Sequence, residues 1–569
     1  MANLKRQFNE ARQLHQQGRL AEAERLYRKI HRLAPRNAEV LSALGAVLLH
    51  QNAPDAALEP LAKAATLRPK DAGAQAALGH VHLLRRQFDE AHQAFEKSLA
   101  LDTTDGSSWF ALGFALAQSG QPRQAESAYR RAQEIDPTSL DVLNNLAGVL
   151  QTQGRAKEAA VLYRQALALA PNQTEVRANL ALVLEMTNAL AESEAEARRV
   201  LSEQPAHPGM RLLIAQLAFR AGNNDGAVRT ATMLVENGAP SSVTAEAWHL
   251  IGQARDRLGH FDQAFAAFSN GNDLMARSAS SIDADALRYH RYVAAYGGLD
   301  TPKADGPRAR DTGRRVAFFV GFPRSGTTLM EDILGAHPAI VTTGEHSPLE
   351  AARAAIHAQA PDLRFPADLN TAPATLLDSA VDAYWQTASA EFGITDKDRL
   401  FLDKLPLNIV EVGLIQRLFP SAPILVALRD PRDVCLSCFT QHFSLNDAMA
   451  NFLTLDDTIR LYAAVMALWR EAREALANPW LEYRYEDLVA DPDAVLRSVF
   501  SFLDLPWDAG LLDRRLKPTD RYVATPSRDA VARPISNQAV GRWRHYRAHL
   551  ETANTALAPF LKAFGYPPD

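Results

Sequence analysis

The sequence predicts a multidomain chain: an all-α repeat solenoid, then an α/β domain of P-loop-like type around a central parallel sheet. Three observations carry that expectation. A 34-residue step runs through the first half. A short apolar run, a glycine-bearing loop and a helical pattern follow one another from Val316. A second apolar run, Ile424–Leu428, ends in Arg429 and leads into another helical pattern.

The step is carried by several residue types at once. Pro35, Pro69, Pro137, Pro171 and Pro205 keep it, with Thr103 where one more is due. Ala23, Ala57, Ala91, Ala125 and Ala159 keep it, and Ser193 takes the next place. Gly45, Gly79 and Gly113 are continued by Ala147 and Ala181. Tyr27, Leu61, Phe95, Tyr129 and Tyr163 lie four residues after the alanines. Each unit reads as two amphipathic helices, with a small residue inside the first and a proline stopping the second. One such pair cannot bury its apolar face alone, so neighbours must stack. The pattern weakens after residue 190, with Ser193 and Ala197 in place of alanine and aromatic. It returns at Trp248–Gly252 with Ala264 and Phe268. The array is therefore expected over 1–275. A helix over 282–297 and a Gly/Pro-rich linker follow within 276–313, and the second domain covers 314–569.

Composition narrows the function. With 569 residues, 47% apolar and 22% charged, the chain has ample core material, which excludes a wholly disordered protein. A net charge of −5 gives no global reason to bind nucleic acid, so any anion site must be built locally. Two cysteines, Cys435 and Cys438, are too few for a disulfide scaffold. Their C-x-x-C, with His442 nearby, lacks a second ligand pair, and no metal site is expected. The polar N-terminus and the lack of a long apolar run predict a cytoplasmic protein without membrane insertion.

The second domain opens on Val316–Val320, read as a buried strand, then Gly321-Phe322-Pro323-Arg324-Ser325-Gly326-Thr327-Thr328, then a helix. Such a loop turns backbone N–H groups inward, and the helix N-terminus adds partial positive charge. Thr327 stands where nucleotide triphosphatases carry a lysine, and the cation has moved to Arg324. That argues against a kinase-like or hydrolase site and for a shorter 5′ anion. In the second motif Asp430 reads as an N-cap and Pro431 as the first helical residue. Arg429 sits at a strand's C-terminal end, where open α/β sheets place ligands.

Residues 1–275 resemble tetratricopeptide repeats. The second domain resembles sulfotransferases that use 3′-phosphoadenosine 5′-phosphosulfate (PAPS). Phe322–Thr328 is most similar to the donor loop of tyrosylprotein sulfotransferases. Arg429 and Ser437, eight apart, resemble the 3′-phosphate pair, and Tyr485-Glu486-Asp487-Leu488 a segment near the adenine. Arg533-Pro534-Ile535 and Gly541-Arg542-Trp543-Arg544 resemble, more loosely, the C-terminal region that closes on the donor.

The resemblance implies transfer of a sulfuryl group from PAPS to an acceptor hydroxyl, on a protein or peptide tyrosine or on another hydroxyl compound. Arg324, Ser325, Gly326, Thr327 and Thr328 would hold the 5′-phosphosulfate, with Arg324 stabilising the leaving phosphate. Arg429 and Ser437 would hold the 3′-phosphate, Tyr485 the adenine, and Arg533 would return to the phosphates. Glu345 would take the acceptor's proton, with His346 as second candidate, and Lys404 would follow the charge onto the bridging oxygen. No metal is required by the donor's charge. The plainer readings are a solvated Glu345, a surface pair between Lys404 and Asp403, a core tyrosine at 485 and a surface or rim charge at Arg432. The repeats would offer a groove for a protein or peptide, with Asn144, Asn145 and Asn179 on its lining helices. A P-loop-like kinase or hydrolase and a non-catalytic repeat adaptor are the rival functions.

Overall fold

The computed structural model describes residues 2–279, 282–297, 308–395, 398–515 and 535–568. Contacts divide the chain into two compact units, residues 1–213 and 214–569.

The first unit is built of helix pairs, Ala2–Gln16 with Leu20–Leu33 and Ala38–His50 with Pro54–Leu67, continuing to Thr174–Met186 with Leu190–Glu203. The coupled sequence positions have a steric cause. A methyl on Gly45 would fall 2.3 Å from Leu61 Cγ, and one on Gly113 would fall 2.7 Å from the Tyr129 ring. The glycine on one helix makes room for the large side chain on the next. Two further features share the step. Asn37, Asp71, Asp105 and Ser139 each cap a first helix by accepting backbone N–H bonds. The turn between the two helices of a pair needs a left-handed residue, found at Gly18, Asn52, Arg86, Gly120, Gly154 and Asn188. Asn145 Nδ2 donates to Asp141 O at 2.8 Å within its own helix, and Asn179 Nδ2 donates to Asn144 Oδ1 at 3.2 Å on the first helix of the preceding unit.

The second unit is organised by a five-stranded sheet. Its strands are β1 (Val316–Gly321), β2 (Ile340–Thr342), β3 (Leu400–Lys404), β4 (Ile424–Leu428) and β5 (Trp480–Arg484). Their order is β2-β3-β1-β4-β5, and every pairing is parallel. Both faces are covered, which is why β1 and β4 are apolar throughout, while β3 is buried throughout but ends in the charged pair Asp403 and Lys404. Val316, Phe318 and Val320 point into one core and Ala317 and Phe319 into the other.

The hairpin Ser241–Arg257 and Phe261–Ala279 belongs to this unit. It keeps the repeat's packing rule, since a methyl on Gly252 would fall 2.6 Å from the Phe268 ring. Yet Ala264 and Phe268 lie in the same core cluster as β1 and β4. The helix expected over 282–297 forms at Ala286–Tyr296. Among the described residues, no helix is long and apolar enough to cross a membrane.

Candidate active site

Chain connections leave β1 toward β2 and β3 on one side, and β4 and β5 lie on the other. The C-terminal ends of β1 and β4 therefore face a crevice suited to ligands. The loop after β1 fills it. Arg324 is left-handed at φ 69° and Gly326 at φ 88°, and the helix Thr327–Gly335 starts immediately after. A methyl on Gly326 would stand 2.4 Å from Tyr485 Cδ2, so the Tyr485 ring lies directly on the loop. Ser325 and Thr327 are buried.

Arg324, Arg429, Ser437 and Tyr485 meet here. Arg324 Nε donates to Ser437 Oγ at 3.1 Å. Arg429 Nη1 donates to the Arg324 carbonyl at 2.9 Å and Nη2 to the Ala539 carbonyl, while its buried Nε has no hydrogen-bond partner. The Arg429 guanidinium stands 5.1 Å from the centre of the Tyr485 ring. Burial lowers the Arg324 pKa from its ordinary value. Cys438 and Glu345 oppose the shift, and Arg429 and Arg542 add to it by repulsion. Like charges gathered in a partly desolvated crevice are a standing demand for an anion.

Asp430 caps the helix Pro431–Phe439 as expected, with Pro431 at its first position. Asp433, beside Arg429, commits both carboxylate oxygens to the C-terminal segment, accepting from Gly541 N at 2.6 Å and Trp543 N at 2.9 Å. Arg432 is not a surface or rim charge. It is fully buried, paired with Asp430, donating to the Pro567 and Pro568 carbonyls and lying 3.7 Å from the Trp543 ring centre. Cys435 and Cys438 are also buried, and burial pushes the Cys438 thiol up to about 12. Arg533 lies outside the described residues.

The facing wall is acidic. Lys404, at the end of β3, is wholly buried, with Nζ 2.9 Å from Glu331 Oε2 and 3.2 Å from Glu345 Oε1. The expected alternative, a surface pair with Asp403, is corrected by this geometry. Asp403 points the other way, accepting from Tyr384 Oη at 2.9 Å and Ser347 Oγ at 3.0 Å, and burial pushes it up to about 7. Glu331 escaped the sequence reading. It lies four residues after Thr327 on the same helix and also accepts from Gly344 N at 2.9 Å, tying down the loop that carries Glu345. Glu345 and His346 are exposed and open on a cavity of about 440 Å³, which Glu350, Arg353, Glu391 and Glu411 also line. Among the described residues, no cluster of three or more His, Cys, Asp or Glu is arranged to hold a metal ion.

Residues 317–509 match the sulfotransferase family, and residues 14–81, 82–150 and 116–183 match the tetratricopeptide repeat. The chain joins tetratricopeptide repeats to a sulfotransferase domain. It is 26% identical over 332 residues to an uncharacterized protein of Aquifex aeolicus, covering 56% of this chain and 42% of that one. It is 27% identical over 269 residues to protein-tyrosine sulfotransferase 2 of Gallus gallus, covering 44% and 70%. Among solved structures, a tetratricopeptide repeat protein from Parabacteroides merdae aligns with 15% identity and a TM-score of 0.35, over 44% of this chain and 99% of that one. The sulfotransferase match takes in Arg324, Glu331, Glu345, Lys404, Arg429, Ser437 and Tyr485.

Proposed function

We propose that the sulfotransferase domain transfers a sulfuryl group from PAPS to an acceptor hydroxyl, on a protein or peptide tyrosine, and that the repeats hold that protein or another partner. The observation that carries the reading is Lys404, buried between Glu331 and Glu345 at the edge of the Arg324 loop.

In this reading the loop N–H groups and Arg324 grip the 5′-phosphosulfate, and Arg429 with Ser437 grips the 3′-phosphate. Tyr485 lies against the adenosine end. The acceptor oxygen attacks sulfur in line with the bond to the 5′-phosphate oxygen. As the new S–O bond forms and the old one breaks, Glu345 takes the acceptor's proton and charge collects on the leaving phosphate. Lys404, held within 3.2 Å of Glu345, sits where it can follow that charge, and Glu331 keeps it in place. His346, one residue on and open to the same cavity, is the second candidate base.

The test is equilibrium binding of 3′-phosphoadenosine 5′-phosphate (PAP) against ATP, followed by transfer from labelled PAPS. Tighter binding of PAP supports the reading. Equal or tighter binding of ATP overturns it in favour of a kinase-like or hydrolase site.

A further inference from the structure

The hairpin Ser241–Arg257 and Phe261–Ala279 reads by its spacing as one more repeat and packs on the helix Asn224–Glu236 before it, but it also contacts the donor side. Asp256 Oδ1 accepts from Tyr546 Oη at 2.6 Å and lies 2.9 Å from Arg542 Nη2. His549 pairs with Asp262 at 3.0 Å and stacks on Phe265, ring centres 3.9 Å apart. His545 stacks on Phe261 at 4.4 Å. Asn272 Nδ2 donates to the Phe439 carbonyl at 3.0 Å, where the helix carrying Ser437 ends.

Segment 539–549 is thus gripped from two sides. From the donor side, Asp433 holds Gly541 and Trp543, and the Ala539 carbonyl takes Arg429. From the repeat side, Asp256 holds Arg542 and Tyr546. Arg542 lies between these grips, close enough to Arg324 for its charge to lower the Arg324 pKa.

We infer that Asp256 is a positioning residue for the donor: it sets Arg542 and the segment above Arg429, so a side chain from a repeat-type hairpin tunes nucleotide affinity. The inference rests on the donor reading above. A carboxylate is required because its oxygen must orient a guanidinium and a phenol together. An array that ended before this hairpin would leave Arg542 without that anchor.

The test uses the full chain, with PAP as the binding probe and formation of PAP from PAPS as the turnover readout. Asp256→Asn removes the charge and is expected to weaken PAP binding about fivefold while leaving kcat at saturating PAPS within about twofold. Asp256→Glu is expected to recover most of the affinity. Tyr546→Phe, a milder change, is expected to weaken PAP about twofold. Wild-type PAP affinity in both Asp256→Asn and Tyr546→Phe overturns the inference, as does a loss confined to kcat. Failure of the wild-type chain to bind PAP would instead bring down the donor reading itself.

Discussion

The two walls of the active-site crevice solve opposite electrostatic problems. On the donor wall, Arg429 spends its hydrogen bonds on carbonyl groups and Arg324 donates to the Ser437 hydroxyl, while Asp433 is occupied by backbone N–H groups. Both guanidiniums thus donate to neutral oxygens, and the Asp433 carboxylate beside Arg429 offsets part of the positive charge. On the acceptor wall the cation is Lys404, and two carboxylates flank it. The cavity beyond adds Glu350, Glu391 and Glu411 against Arg353. Under the proposed function, the first wall would receive the donor's phosphates and the second would take the acceptor's proton. The contrast separates donor affinity from acceptor chemistry, and substitutions should separate them too.

The largest effect is expected on the acceptor wall. Glu345→Gln should lower transfer by about a hundred- to ten-thousandfold, the usual reach of a general base, while PAP affinity stays within about twofold. A titration with PAP alongside single-turnover transfer checks both halves. On the donor wall, Arg429→Ala should weaken PAP about 10- to 100-fold, since it removes charge-assisted contacts and leaves the Ala539 and Arg324 carbonyls unpaired. If its main effect is on single-turnover rate at saturating donor, the two walls are not separable. Gly326→Ala should cost roughly 1–3 kcal/mol through its left-handed backbone and the Tyr485 ring, read as a lower melting temperature and weaker PAP binding together.

A smaller effect should appear with pH. Asp403 is raised to about 7 by burial, from an ordinary 3.8, so the folded chain keeps a proton there that the unfolded chain has lost. Its contribution to stability is greatest at low pH, declines as pH rises through that window and is flat above about 7. Asp403→Asn should gain stability relative to wild type between pH 5 and pH 8, measured as the change in denaturation midpoint. The smallest effect concerns the acceptor. A tyrosine peptide flanked by lysines should be modified about two- to fivefold faster than the same peptide flanked by glutamates. The reverse preference would show that the carboxylates of the 440 Å³ cavity do not face the acceptor.

Much of this was legible in the sequence, for physical reasons. The array could be read because helix crossing in each unit forces a small residue against a large one at a fixed spacing. The caps and left-handed turns share that step, but Arg86 and Asn52 in the turns hide it from a search for glycine alone. The donor loop was legible because its conformation demands particular residues at adjacent positions. What stayed hidden depends on contacts distant along the chain. Glu331 acquires its role only through Lys404, and Arg432 is buried by carbonyls at the far C-terminus. The orientation of Asp403 is set by Tyr384, on a helix that no motif marks.

The shared core of the last hairpin and the sheet has a practical consequence. A fragment started at the glycine- and proline-rich junction would bare the partners of Phe268 and Ala264 to water and lose the Asn272 bond to Phe439. Anyone wishing to transplant the enzyme, or to graft a different array onto it, should make the cut upstream of Ser241 and carry the hairpin along as part of the catalyst.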